Sequence, residues 1–428
     1  MPRRADRILA THVGSLIRPP ALVEFLQKTE ADAPYDKAAY EACLTDSVAE
    51  VVRQQAEAGV DIVSDGEFGK GVSWAFYIHK RLNGIELRPL TAEEAKDPSL
   101  TALGGRDRLA FPEFYAETDP PAFLRRMSIG TICNGPISYS GHAQLRRDIG
   151  NLKAAVAKVK VEGAFLPVVA PASALPAVKN EHYPDEKSFL FALAEALRQE
   201  YKAIVDAGLI VQIDDAFLPY MHEKLVPPMT LAQYRKWAQL RIDALNHALE
   251  GIPEERSRYH ICWGSWNGPH VYDVEMKHIA DLLVRVRVGA YSFEAANPRH
   301  EHEWRVWEKV KLPKRRMLIP GVISHATNIV EHPELVAERI VRLAKIVGRE
   351  NVMGGTDCGF AQSPFTRRVH PTIMWAKLKS LAAGAKLATR ELWGGRARRP
   401  LSSRTAASRA KRRAPASGTP RRRSSRRS

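Results

Sequence analysis

An α/β chain folded as a (β/α)8 TIM barrel is what this sequence predicts, and three observations predict it. Short apolar runs alternate with amphipathic stretches of helical period along most of the 428 residues. Repeated βα units imply a parallel sheet, and eight or nine of them favour a closed barrel over an open doubly wound sheet. Polar residues recur where the apolar runs end, the face on which barrels build their sites.

Taken in order, the strand candidates are ATHVGS, VDIVSDGE, IGTICNGP, FLPVVAP, LIVQIDD, RYHICWG, AYSFEAAN, MLIPGVIS and NVMGGTDCG. Between most of them lie helical patterns such as DSVAEVVRQQAEAG, AQLRRDIGNLKAAVAKVK, FALAEALRQEYKAIVDAG, LAQYRKWAQLRIDALNHAL and HPELVAERIVRLAKIVG. Nine candidates are one too many for the barrel, and FLPVVAP is read as an excursion outside it. Residues 71–126 have weak periodicity and several prolines and glycines. They read as an insertion after the second strand, placed to cover the barrel mouth. The barrel then occupies residues 1–395, and residues 396–428 form a disordered basic C-terminal tail.

Composition bounds the function classes. Hydrophobic residues make up 45% and charged residues 26%, as in a soluble globular protein. No run of about 18 apolar residues exists, so no membrane span is expected. The N-terminus lacks the apolar segment and cleavage site of a signal peptide. Cys43, Cys133, Cys262 and Cys358 are too few for a disulfide framework in so long a chain. These features point to a reducing, cytoplasmic setting, with cysteines buried or bound to metal. The net charge of +16 suggests nucleic acid until it is located. Thirteen Lys or Arg and no Asp or Glu lie from Arg396 onward, which leaves only +3 for residues 1–395. The tail has almost no large apolar residue and cannot offset its ordering entropy by burial. It is either a solvated extension or a weak contact to nucleic acid or anionic surfaces through residues 396–428.

The polar residues at strand ends are Ser15, Asp65, Glu67, Asn134, Asp214, Asp215, His260, Cys262, Glu294, His325 and Cys358. In a strand, residues i and i+2 point the same way, so His260 and Cys262 both face the barrel axis. Glu294 and Cys358 come from later strand ends. Thiolate, imidazole and carboxylate together are a plausible shell for Zn2+, which takes these donors tetrahedrally. A lone strand cysteine is more often a small buried hydrophobe, so the residue types alone leave both readings open.

HVGSLIRP, DGEFGK, GPISY, VQIDDAF, HICWG, SFEAANPR, PGVISHATN and GTDCGF occur in this order. This series resembles the cobalamin-independent methionine synthase superfamily, in its single-barrel members that match the C-terminal catalytic half of the full enzyme. The resemblance spans roughly residues 8–390 and includes the related epoxyalkane:coenzyme M transferases. It implies zinc held by His260, Cys262, Glu294 and Cys358. The implied activity is zinc-dependent S-methyl transfer, with homocysteine activated as a thiolate and a methyltetrahydrofolate-type donor. The partners are then a small-molecule thiol and a methyl donor. Gly14 and Ser15 match the segment that holds the amino-acid carboxylate. Glu67 and Asp214 match acids that hold the amino group, although a turn or capping role stays open for each. His325 matches the catalytic histidine, a proton donor to the departing methyl carrier, with the alignment slipping by one residue there. Asp357 is placed to support Cys358 by hydrogen bonding.

Departures bear on the substrate. The tryptophan that stacks a pterin in the family has no clear match, and Tyr139 is the nearest aromatic. Arg18 and Arg299 are candidates for an anionic substrate group. His300 and His302 are either a second metal pair or, the better fit among Glu and Arg, surface or substrate contacts. These features keep coenzyme M alkylation, or transfer from a corrinoid or methyl ether, as the alternative. A nucleic-acid-associated protein acting through the tail is the other class, which the near-neutral body argues against.

Overall fold

The computed structural model describes residues 6–97, 100, 105–119 and 129–394. The tail reading for 396–428, and part of the proposed insertion, lie outside the described residues. The strands are β1 Ile62–Ser64, β2 Leu82–Pro89, β3 Ile129–Tyr139, β4 Gly163–Val169, β5 Val178–Asn180, β6 Ile210–Asp214, β7 Ser257–His260, β8 Ala290–Glu294, β9 Met317–Ile323 and β10 Gly355–Thr356.

Seven of them form a parallel sheet in the order β1-β4-β6-β7-β8-β9-β10. Residues 9–11 join its two edges. Thr11 N–H donates to the Gly354 carbonyl at 2.9 Å, and Gly354 N–H donates to Leu9 at 2.9 Å. On the other side Asp61 N–H donates to Ala10 at 2.9 Å, with a parallel bridge from Thr11 to Ile62. The ring closes through this first segment, as the ATHVGS reading requires.

One strand assignment is corrected. FLPVVAP is not an excursion: β4 pairs with β1 on one side and β6 on the other. IGTICNGP leaves the barrel instead. It lies in β3, which pairs antiparallel with β2 and parallel with β5 in a separate three-stranded sheet. The physical reason is burial. β4 is buried at almost every residue, as a strand covered on both faces must be, whereas β3 keeps alternate residues exposed.

Helices wrap the ring where their caps start them. Asp36 accepts from Ala38 and Ala39 N–H ahead of helix Lys37–Glu57, Asp185 accepts from Ser188 N–H ahead of Glu186–Asp206, and Thr230 with Gln233 forms a capping box for Leu231–Ala248. Proline opens Pro333–Val347 and Pro371–Trp393. No described helix is long and apolar enough to cross a membrane.

The barrel interior is layered. At the bottom Leu9, Ile62, Phe165, Ile210, Ala290, Met317, Ile319 and Met353 form an apolar plug. One pleat higher, Arg258 donates to Thr11 Oγ1 at 3.0 Å and to the His12 carbonyl at 2.8 Å, over the Phe165 ring. Gln212 donates to the Val13 carbonyl and to Asp214 Oδ1. Above this polar layer the period of two brings up Asp214, His260 and Glu294.

Candidate metal centre and substrate site

β7 ends on His260, and Cys262 lies two residues on; β10 ends two residues before Cys358. The Cys262 and Cys358 sulfurs are 3.7 Å apart, far from the roughly 2.05 Å of a disulfide. Two sulfurs on one tetrahedral zinc at about 2.3 Å each would lie about 3.8 Å apart. One ligand atom each from His260, Cys262 and Cys358 fits within a mutual distance of 4.8 Å, and all three residues are buried. His260 Nδ1 pairs with Ser292 Oγ at 3.0 Å, while its Nε2 is buried with no hydrogen-bond partner. That is the arrangement of a ligating imidazole whose second nitrogen is held by a neighbour. Burial, then Arg258 and His325, push His260 down to about 3, so the ring is neutral with a free lone pair. The Cys262 thiol is pushed well above its usual range by the Cys358 hydrogen bond, then by burial and by Glu294. A divalent cation would reverse that penalty. The donor set therefore fits zinc.

Glu294 is the fourth residue named from the sequence, and the structure leaves it outside this group of three. Its Oε1 accepts from Trp263 N–H at 3.2 Å and its Oε2 accepts from Asn297 Nδ2 at 2.7 Å. It acts on Cys262 as a neighbouring charge. Asp357 does not bond the thiols. Its Oδ1 accepts from Ala295 and Ala296 N–H at 2.8 Å each, which fixes the chain just after Glu294. Gly321 permits this, because a Cβ there would collide with the Asp357 backbone.

Glu67 and Asp214 come together across the first strands. Glu67 has a positive φ of 61°, and Asp65 Oδ1 accepts from its N–H at 2.9 Å. Its Oε2 is buried without a partner, while its Oε1 accepts from Lys70 Nζ at 3.2 Å. Burial, then the Glu67 charge, hold the Asp214 carboxyl well above the usual range. Such a pair calls for a further cation. Lys70, which the sequence reading missed, already supplies one and sits over the Tyr77 ring. Gly14 lies beside Glu67 and under Pro167, where a Cβ would collide with the proline ring; its φ of 138° also favours glycine. Gly14 N–H is spent on His12 Nδ1, and Ser15 Oγ accepts from Ala361 N–H at 3.4 Å.

Both arginines proposed for an anion already donate to backbone carbonyls. Arg18 is buried and its terminal nitrogens donate to the carbonyls of Glu67, Lys70 and Ala361, while its Nε is buried without a partner. Arg299 is exposed and donates to the Val271 carbonyl at 2.6 Å. His300 is buried between Asp273 and Glu303, at 2.9 Å from each, and stacks on Trp263, whereas His302 is exposed. They form no metal pair among the described residues. Asn134 is an exposed residue of β3 bonded to Glu86. Tyr139 is buried, donates to Glu200 beside the Arg81 cluster and meets the His142 ring edge-on.

His325 follows β9 and is buried, with neither ring nitrogen in side-chain hydrogen-bonding geometry. Burial first, then Arg368, push it down to about 3. Three residues escaped the sequence reading: Lys70, Trp74 and Arg368. Trp74 packs against Ala216, Cys262 and Cys358 and stacks with Phe217 at 6.1 Å between ring centres. The aromatic run SWAFY within the weakly periodic segment was its only signal.

Residues 171–377 match the family model of the cobalamin-independent synthase catalytic domain. A 2-hydroxypropyl-CoM lyase of Xanthobacter autotrophicus is 26% identical over 399 residues, covering 86% of this chain and 91% of the relative. A methionine synthase of Sulfolobus acidocaldarius is 25% identical over 357 residues, covering 83% of this chain and 86% of the relative. The B12-independent methionine synthase from Shewanella, in complex with selenomethionine, shares the fold with a TM-score of 0.67 at 19% identity, over 91% of this chain and 100% of its own. A putative B12-independent methionine synthase from Listeria monocytogenes gives 0.62 at 19% identity, over 92% and 100%. The resemblance drawn from the sequence, to the cobalamin-independent methionine synthase superfamily, holds.

Proposed function

We propose, from that kinship as premise, that this protein is a zinc-dependent S-methyltransferase that alkylates a small-molecule thiol, with homocysteine the first acceptor to test. The observation that carries the reading is the pair of buried thiols 3.7 Å apart beside the unpartnered Nε2 of His260. A zinc ion held by His260, Cys262 and Cys358 would supply a Lewis acid that lowers a substrate thiol's pKa and orients its sulfur. Glu294 lies close enough in charge to join or leave such a site. Glu67 and Asp214 suit a substrate ammonium, because Glu67 Oε2 lacks a partner. His325 is neutral at pH 7 in this environment. An anionic leaving group arriving beside it would raise its basicity, and both of its ring nitrogens are buried without a partner, which leaves its N–H available to donate. Trp74 packs against the sulfur pair and is backed by the Phe217 ring.

A second reading changes the acceptor. The 26%-identical relative is named a 2-hydroxypropyl-CoM lyase, and Lys70 already gives Glu67 a cation from within the chain. That favours an acceptor without an amino group, such as coenzyme M. The test is a screen of thiols against methyl and alkyl donors with zinc-loaded protein, reading thioether by mass spectrometry. Thioether from homocysteine supports the first reading, and thioether from coenzyme M alone supports the second. Zinc-loaded protein that forms no thioether with any pair defeats both.

A further inference from the structure

We propose that Arg368 selects acceptor thiols that carry an anionic group, a carboxylate or a sulfonate; this rests on the thiol-transfer reading. Arg368 is half-buried on the loop that follows Cys358. Its Nε donates to Gln362 Oε1 at 3.2 Å. Gln362 in turn donates to the Gly359 carbonyl, next to Cys358, and its own carbonyl accepts from Trp74 N–H at 2.9 Å. Trp74 packs on both cysteines. One edge of the guanidinium is thus tied to the residues that frame the sulfurs. Its charge acts on Cys358 and on His325.

The other edge has no counter-ion. Among the described residues no carboxylate pairs with Arg368, and Nε makes its one hydrogen bond. The other cations near the mouth are engaged. Arg18 and Arg258 each keep a buried Nε without a partner, but their terminal nitrogens donate to the Glu67, Lys70 and Ala361 carbonyls and to Thr11 and His12, and Lys70 pairs with Glu67. The planar fork of a guanidinium matches two oxygens of a carboxylate or sulfonate. Of Gly14 and Ser15, assigned to that end of the substrate from the sequence, Gly14 N–H donates to His12 Nδ1 and Ser15 Oγ accepts from Ala361 N–H at 3.4 Å. The fork is tied through Gln362 to Gly359 and Trp74, the residues that flank the sulfurs a substrate thiol would meet.

The test uses full-length protein loaded with cobalt(II), whose thiolate charge-transfer band reports thiol binding directly. Three thiols are titrated: 2-mercaptoethanesulfonate, 3-mercaptopropionate and uncharged 2-mercaptoethanol. Native protein should bind at least one anionic thiol about 10-fold or more tighter than 2-mercaptoethanol, the range of a charge-assisted hydrogen bond. The stronger of the two anions identifies sulfonate or carboxylate as the preferred group. Arg368→Gln should remove the preference and leave 2-mercaptoethanol affinity and metal content unchanged. Arg368→Lys should retain part of it. The proposal is overturned if native protein shows no preference, if Arg368→Gln keeps it, or if the variant weakens all three thiols alike, as a merely structural residue would. If no thiol perturbs the cobalt spectrum of native protein, the thiol-transfer reading falls as well.

Discussion

Cys262 and Cys358 oppose each other's ionisation while they share a buried position, and only a cation between them relieves that. Cys262→Ser or Cys358→Ser should therefore lower zinc occupancy sharply, from about one ion per chain, in elemental analysis. Full zinc in both variants would sink the metal assignment. Glu294→Gln should keep the ion but exchange it faster, because its carboxylate is anchored on Trp263 and Asn297 rather than gathered with the sulfurs. His325→Asn separates binding from chemistry: zinc and thiol binding should persist while alkyl transfer falls about 10²–10⁴-fold, the range for a proton donor. Loss of zinc in that variant would make His325 a ligand or prop. At this scale the sequence spoke clearly for His260 and Cys262, since the period of two aims both at the axis. It could not show where an arginine spends its donors. Arg18 and Arg299 looked free and are bound to carbonyls, whereas Arg368 sits in an aperiodic loop and was overlooked.

The elements were legible where periodicity is strong. The long helices contain the stretches that the 3.6-residue pattern marked: Leu231–Ala248 starts after its Thr230 cap as read, whereas Glu186–Asp206 and Lys37–Glu57 start earlier than read, at their Asp185 and Asp36 caps. The strands were harder, because a barrel strand and an accessory strand are both short apolar runs. The continuous apolar run of β4 belongs inside, and the alternating pattern of β3 belongs on a half-exposed sheet; weighing that contrast would have corrected the assignment. The first barrel segment is tied to its neighbours by isolated bridges and scattered hydrogen bonds rather than a full ladder, and side chains from across the barrel add to that hold. Arg258→Met tests this. It removes the donors to Thr11 and His12, stranding a buried carbonyl. The loss should be about 1–3 kcal/mol, read as a lower denaturant midpoint with an unchanged slope. An unchanged midpoint would show that the bridges suffice.

At the scale of the whole molecule, stability should fall as the solution turns basic, and one buried histidine should set the window. His300 lies between Asp273 and Glu303 at 2.9 Å from each and stacks on Trp263, whose N–H holds Glu294. Burial alone would discharge the ring. The hydrogen bonds to Asp273 and Glu303 outweigh it and raise His300 to about 9. The unfolded chain has an ordinary histidine near 6.5. Between these values the folded state binds more protons than the unfolded state, so stability decreases with rising pH. The contribution is fully present below about pH 6.5 and lost as pH climbs through about 9. Its size is at most about 3.5 kcal/mol at the usual 1.4 kcal/mol per pKa unit. Asp273, held below its usual range by the same contacts, acts only at the acid end. Denaturant unfolding of the zinc-loaded protein at pH 6, 7.5 and 9 should show the decline, and His300→Gln should flatten it even if that variant is less stable throughout. A variant that keeps the full slope would assign the pH dependence to other groups and leave His300 a neutral stacking partner of Trp263.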